Sequence, residues 1–209
     1  MNKVNILNYG LGNIHSLKNA LNKINFEAEY LSKDTEIAPK ILFIPGVGSY
    51  NKAMKLIKKK FPKILKLIKK KKIFTIGICL GMQLILKDGY EGGKNNGFGL
   101  LKGNVKLFSN KKIKLPNIGW KKIKFSKSIN HNFLKKFNGK KFYFIHSYVL
   151  KDVNKKNIIA TSKYLNYEFP AIVFSKSSIG IQFHPEKSGK VGLKLLSEIL
   201  NNINLKYEK

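Results

Sequence analysis

Residues 73–86 read Ile-Phe-Thr-Ile-Gly-Ile-Cys-Leu-Gly-Met-Gln-Leu-Ile-Leu. The first half is apolar, β-branched and aromatic, and it follows a tract of four lysines, Lys69 to Lys72. That pattern predicts a strand buried on both faces, as in a parallel sheet covered by helices. The second half, from Leu80 to Leu86, predicts a short buried helix. Between them lies Gly77-Ile-Cys79-Leu-Gly81, the thiol counterpart of the G-x-S-x-G nucleophile elbow. In such an elbow a sharp strand-to-helix turn pushes the nucleophile out of the sheet. Flanking glycines let the backbone turn where a Cβ would clash. The amides that open the helix then face the sulfur and favour its thiolate. The competing reading is a buried structural cysteine at a strand end.

The segments before the elbow alternate between strand and helix. Val4–Asn8 predicts a first strand, followed by the glycine-rich turn Tyr9-Gly-Leu-Gly-Asn13. Ile14, Leu17, Leu21 and Ile24 fall at helical spacing, so residues 13–25 should form an amphipathic helix. The G-x-G-x-x-G fingerprint is absent, which argues against a dinucleotide site. Phe26–Leu31 and Ile41–Ile44 predict two more strands. The second of these ends in Pro45-Gly-Val-Gly48, a loop placed where open α/β sheets hold ligands and where backbone amides can serve an oxyanion. Residues 51–70 predict a lysine-coated helix with apolar positions at 54, 57, 61, 64, 65 and 68, and with a break allowed at Pro62.

After the elbow the pattern changes. Residues 88–97 predict a polar loop. Val105–Phe108, Ile113–Leu115 and Lys121–Phe125 read as antiparallel strands. Further strands are expected over Lys141–Val149, Ile158–Tyr164, Ala171–Phe174 and Ile179–Phe183. A closing helix over Val191–Ile203 should turn Leu193, Leu196, Ile199 and Leu200 inward. The expectation is one domain over residues 1–209. Its fold class is α/β, a mixed, mostly parallel open sheet flanked by helices, with antiparallel strands in the second half.

Composition narrows the function. A single cysteine forbids an internal disulfide and suits a reducing cytoplasm. The N-terminus lacks the apolar core of a signal peptide, and no apolar run approaches the ~20 residues of a membrane span. The formal net charge of +30 invites a nucleic-acid reading. Yet the sequence contains no arginine, the residue that grips phosphate and guanine bidentately. The lysines are spread along the chain, as on solvated helix faces, and neither nucleic acid nor membrane is expected as a partner. They should still favour acidic partners at low salt.

Cys79, His184 and Glu186 are expected at strand ends on one edge of the sheet. Pro185 stiffens the step between the histidine and the glutamate. A thiolate, an imidazole and a carboxylate holding the imidazole's tautomer make a nucleophilic triad. His15 and His131 lie in a helix and a loop and read as structural, as does His146 at a strand end.

Four segments carry a family likeness: Pro-Gly-Val-Gly (45–48), Gly-Ile-Cys-Leu-Gly-Met-Gln (77–83), Phe-Tyr-Phe-Ile-His-Ser-Tyr (142–148) and Gln-Phe-His-Pro-Glu-Lys-Ser (182–188). Together they resemble the class I glutamine amidotransferases. With Met82 and Pro116-Asn-Ile-Gly-Trp120, they resemble in particular the glutaminase subunits of imidazole glycerol phosphate synthase. The likeness runs from Tyr9 to Leu196. It implies that Cys79 attacks the amide of glutamine, that backbone amides of Val47 and Leu80 hold the oxyanion, and that His184 and Glu186 handle the proton. It also implies glutamine-binding roles for Gly46, Gly48, Gln83, Glu91, Ser147 and Tyr148. No metal or cofactor is implied. The ammonia would pass to a (β/α)8 barrel cyclase in a heterodimer, with Asn13, Trp120 and Lys187 near the interface. Gly89-Tyr-Glu-Gly-Gly93 resembles a side branch that feeds ammonia to the amidation of surface-polysaccharide or nucleotide sugars, and this alternative stays open at the level of sequence.

Overall fold

A computed structural model describes residues 2–108, 114–126 and 132–207. The first part of the chain runs β1 (Asn2–Leu7), α1 (Ile14–Asn22), β2 (Phe26–Leu31), β3 (Ile41–Ile44), α2 (Tyr50–Lys60), α3 (Pro62–Lys69), β4 (Phe74–Ile78) and α4 (Leu80–Leu84). It continues with β5 (Leu86–Gly89), β6 (Asn95–Asn96), β7 (Leu101–Leu107), β8 (Asn117–Phe125), α5 (Asn132–Lys135), β9 (Lys141–His146) and β10 (Tyr148–Lys151). The last elements are β11 (Ile158–Tyr164), β12 (Tyr167–Ser175), β13 (Ser178–Ile181) and α6 (Gly189–Tyr207).

Among the described residues the strands form a nine-stranded sheet in the order β2-β1-β3-β4-β13-β12-β11-β8-β9 and a four-stranded sheet β10-β7-β5-β6. From β2 to β13 every neighbouring pair is parallel. From β13 to β9 every pair is antiparallel. This is the mixed sheet that the change of pattern after the elbow predicts.

The alternation of side chains explains why β3 and β4 are apolar throughout. Ile41, Phe43, Phe74, Ile76 and Ile78 join Leu17 and Leu21 of α1 and Leu195, Leu196 and Ile199 of α6 in one core layer. Leu42 and Ile44 face the other way, onto Met54 and Ile57 of α2 and Ile64 and Ile68 of α3. Strands covered on both faces have no polar side to show.

Local details differ from the sequence expectations for physical reasons. The long helix of residues 51–70 is two helices meeting at Phe61, whose side chain does not cap α3. Asp34 does so instead from a distant loop, its carboxylate accepting from Lys63 N at 2.9 Å and Ile64 N at 3.0 Å. The buried helix after the elbow stops at Leu84 rather than Leu86. Amides from a later segment take its last carbonyls, Phe98 N donating to Leu84 O at 2.7 Å and Leu100 N to Ile85 O at 2.9 Å. Leu86 is thereby freed to begin β5. The strand expected over Lys141–Val149 divides at Ser147, where the chain leaves the large sheet for the small one. The inner face of α6 includes Leu195 in place of Leu193, which is only half-buried. Residues 114 and 115 are not strand, while Ile113 and His131 lie outside the described residues.

Candidate active site

β3, β4 and β13 are adjacent and parallel, so their C-terminal ends share one edge of the sheet. The Pro45–Gly48 loop leaves β3, Cys79 follows β4, and His184 follows β13 by three residues. β4 and β13, the last two strands of the parallel half and central in the whole sheet, thus bring the thiol and the imidazole together across about 100 residues of intervening chain.

Cys79 turns the chain with φ 53° and ψ −106°. For a residue with a Cβ this backbone is strained, at a cost of ~1–3 kcal/mol. Neighbouring contacts hold it there. Cys79 N donates to Ile181 O at 2.7 Å, continuing the pairing with β13. A Cβ on Gly77 would overlap Gly81 O, and one on Gly81 would overlap Ile44 O. Both glycines of the elbow are therefore required by close backbone packing of α4 on the ends of β3 and β4. Leu80 is the first residue of α4, so its N–H has no intrahelical acceptor.

His184 is buried, and its Nδ1 pairs with Glu186 Oε1 at 2.8 Å. Both side chains are 4 % exposed. Burial opposes a charge on the ring, but the Cys79 sulfur and the Glu186 carboxylate outweigh it and raise the imidazole to about 10. His184 Nε2 has no hydrogen-bond partner among the described residues. Nε2 is thus available to take a proton from the sulfur or return it. The turn itself is fixed by backbone: His184 N donates to Tyr143 O at 2.8 Å, and Ser188 Oγ donates to His184 O at 2.6 Å. Behind it Phe183 stacks on Phe142, with ring centroids 4.3 Å apart.

A cavity of about 350 Å³ opens beside the sulfur. It lies at the small end of the ~300–1,000 Å³ usual for ligand sites, a size suited to an amino acid. Its wall includes Val47, Gly48, Cys79, Leu80, Gln83, Glu91, Ser147 and Tyr148, all singled out in the sequence. Gly46 lies behind this wall, where an added Cβ would meet Leu80 and the Tyr9 hydroxyl. Tyr9 Oη donates to Pro45 O at 2.7 Å and so braces the loop from below. His184 and Glu186 are not among the residues of this wall.

Two of the polar groups on the wall already have protein partners. Gln83 Nε2 donates to Tyr148 O at 3.3 Å. Glu91 Oε2 accepts from Tyr50 N at 2.7 Å, placing a carboxylate at the N-terminus of α2. His146 lines the cavity but is satisfied, with Nδ1 on Tyr148 O at 2.9 Å and Nε2 on Asn117 Nδ2 at 3.0 Å. Burial, against the raising effect of the Tyr148 hydrogen bond and with a smaller push from the charge of His184, lowers its pKa to about 4. The ring is therefore neutral, donating through Nδ1 and accepting through Nε2. His15 pairs with Tyr30 Oη at 3.1 Å on the surface.

Asn13, Trp120 and Lys187 are exposed and outside the cavity. Asn13 caps α1 by accepting from Ser16 N. Trp120 lies edge-on to Tyr143, with ring centroids 6.1 Å apart, and Tyr143 in turn holds the His184 turn. Sequence reading gave no role to Gln182, which contacts the sulfur, or to Tyr9. Gln182 opens the 182–188 segment and Tyr9 opens the turn of residues 9–13, and each is a polar side chain following a strand.

A strained thiol on an elbow, a carboxylate-braced imidazole and an amino-acid-sized cavity can support acyl transfer from an amide. The class is defined accordingly: the family model described as glutamine amidotransferase class-I matches residues 5–202. Solved structures agree on the fold. A crystal structure of a glutamine amidotransferase superposes with a TM-score of 0.72 at 18 % identity, covering 96 % of this chain and 98 % of that one. PurLQS from Thermotoga maritima gives 0.73 at 20 % identity, covering 97 % and 99 %.

Sequence relatives are more specific. Imidazole glycerol phosphate synthase subunit HisH of Sulfolobus acidocaldarius is 36 % identical, over 93 % of this chain and 95 % of its own length. The subunit of the same name from Caldanaerobacter subterraneus is 39 % identical, over 92 % and 95 %. The chain belongs to the class-I glutamine amidotransferases and, within them, to the HisH family of imidazole glycerol phosphate synthase subunits.

Proposed function

We propose that this chain hydrolyses glutamine as the glutaminase subunit of imidazole glycerol phosphate synthase, with Cys79 as nucleophile. Cys79 Sγ attacks the side-chain amide carbon of glutamine, and the carbonyl oxygen takes the negative charge. Backbone amides of Val47 and Leu80 hold that oxyanion; a donor of this kind is typically worth ~3 kcal/mol. His184 protonates the departing nitrogen and ammonia leaves. Water, deprotonated by His184, then cleaves the thioester and releases glutamate. Glu186 holds the ring so that Nε2 faces the sulfur. Gln83, Glu91, Ser147, Tyr148 and the loop of Gly46 and Gly48 shape the glutamine pocket.

The observation that carries this reading is the strained Cys79 at the end of β4 beside the His184–Glu186 pair at the end of β13. The ammonia goes to a cyclase subunit built as a (β/α)8 barrel, the two chains forming a heterodimer in the cytoplasm. Asn13, Trp120 and Lys187 lie at that interface. Support for a link from interface to site comes from Tyr143, which touches Trp120 and anchors His184. The test is a glutaminase assay of the co-purified pair, with and without the cyclase's nucleotide substrate. Cys79→Ala should abolish glutamine-dependent synthesis and leave ammonia-dependent synthesis intact. Loss of both, or of neither, overturns the assignment, as does high turnover by the isolated subunit. Rescue of a histidine auxotroph by the co-expressed pair tests the pathway.

A further inference from the structure

Gln182 closes the approach to the sulfur from the β13 side. Its side chain is fully buried. Nε2 donates to Cys79 Sγ at 3.8 Å, while Oε1 has no partner among the described residues. A buried amide spending its donor on sulfur alone is an expensive arrangement, because a neutral thiol is a weak acceptor. A thiolate is a far better one, since hydrogen bonds to a charged acceptor are roughly twice as strong as neutral ones.

The other side of the sulfur faces an acceptor. Cys79 S–H donates to Ile145 O at 3.6 Å. The sulfur thus stands between a carbonyl on β9 that favours the thiol and an amide beside β13 that favours the thiolate. The reverse orientation of the amide would leave two acceptors facing one S–H. Gln182 is also held in register, its backbone N donating to Ala171 O at 2.9 Å and its neighbour Ile181 accepting from Cys79 N. The amide is therefore fixed before any charge forms, which is what electrostatic stabilisation requires.

We propose that Gln182 is a positioning residue whose side-chain amide holds Cys79 in its thiolate form. The inference rests on Cys79 being the nucleophile. In the step concerned, the sulfur's proton passes to His184 Nε2, leaving thiolate and imidazolium, and no other bond changes. Nε2 of Gln182 loses no proton; it strengthens its hydrogen bond as the sulfur becomes charged.

The test is the pH profile of Cys79 alkylation by iodoacetamide in the full chain. Gln182→Met removes the donor at similar volume, and Gln182→Glu replaces it by a carboxylate. The midpoint of alkylation should move up by about one pH unit in the Met variant and further in the Glu variant. In the complex with its partner, kcat for glutamine should fall about tenfold at neutral pH with KM within twofold, and the loss should shrink as pH rises. A folded Met variant with an unmoved midpoint overturns the proposal. Should the variants fail to fold, the unaltered chain decides. The side-chain amide resonance of Gln182 should shift with pH through the alkylation midpoint and stay flat in Cys79→Ser. An amide that does not respond overturns the proposal. Failure of the underlying reading looks different: Cys79→Ala would then keep its glutamine-dependent activity.

Discussion

Two side chains that look alike in sequence have different fates because of what surrounds them. His184 and His146 are both buried at strand ends, yet one is raised to about 10 and the other lowered to about 4. The difference is a carboxylate and a sulfur beside the first, against an aromatic shell of Phe108, Phe144 and Phe169 around the second. His146 therefore gives a pH prediction. Its folded pKa lies below the ordinary value of 6.5, so the neutral ring is favoured by folding. The stability it contributes is complete above about pH 6.5 and is lost as pH falls toward 4, because the unfolded chain binds a proton that the fold refuses. His146→Gln, which keeps a donor for Tyr148 O, should lose several degrees less in Tm than the unaltered chain between pH 7 and pH 4. Equal losses would mean that the ring is not the group that titrates. Glu186→Gln leaves the shape of the turn intact but removes the charge that steadies the imidazolium. It should lower kcat by roughly tenfold to a hundredfold with little change in KM, less than in a serine triad because a thiolate is intrinsically reactive. A change confined to KM would instead place Glu186 in substrate binding.

Among the elements, the elbow depends most on atoms that cannot move. An Ala at position 81 would drive its Cβ into Ile44 O, a backbone atom at the C-terminal end of β3. An Ala at position 48 meets nothing within 4 Å and strains only its own backbone at φ +100°. Gly81→Ala should therefore cost more than ~3 kcal/mol or prevent folding, and Gly48→Ala about 1 kcal/mol, as read from urea midpoints. Similar costs for the two would show that α4 can shift away from β3. The contrast also shows what the sequence could reveal. The two-faced burial of β3 and β4 is written in consecutive apolar residues, and Phe26–Leu31, Ile41–Ile44 and Ile158–Tyr164 are legible to the residue. The early stop of α4 is not, because it is imposed by amides of Phe98 and Leu100 from a segment with no pattern of its own. The second sheet is hidden for the same reason, since β5 and β6 are too short and polar to read as strands. At the site, Cys79, His184 and Glu186 are legible because their motifs follow apolar strands. Gln182 is not, because its role depends on which way a buried amide points.

The whole molecule carries 41 basic residues, all lysine, against 11 acidic ones. The ion pairs that do form, such as Lys3–Glu29 and Lys63–Glu36, are exposed and contribute little. The net field must therefore repel itself, and added salt should raise Tm until screening is complete near a Debye length of ~8 Å. The same field acts outward. Lysine without arginine attracts nucleic acid only as a diffuse charge, so any duplex binding should disappear near physiological salt. A protein partner with an acidic face would be drawn faster, through its encounter rate. On the outer side of β8, Ile118 and Trp120 are exposed at 50 % and 51 % in line with Lys122 and Lys124, an apolar pair followed by charge along one strand face. The lysines should govern how quickly the proposed cyclase partner arrives, and the indole, at the proposed interface, how long it stays. Raising salt from 50 to 300 mM should slow association severalfold and leave dissociation nearly unchanged. Trp120→Ala should do the reverse, speeding dissociation about tenfold or more at every salt concentration. If Trp120→Ala changed only the association rate, the indole would be part of the surface that Tyr143 supports from within and not a contact with the partner.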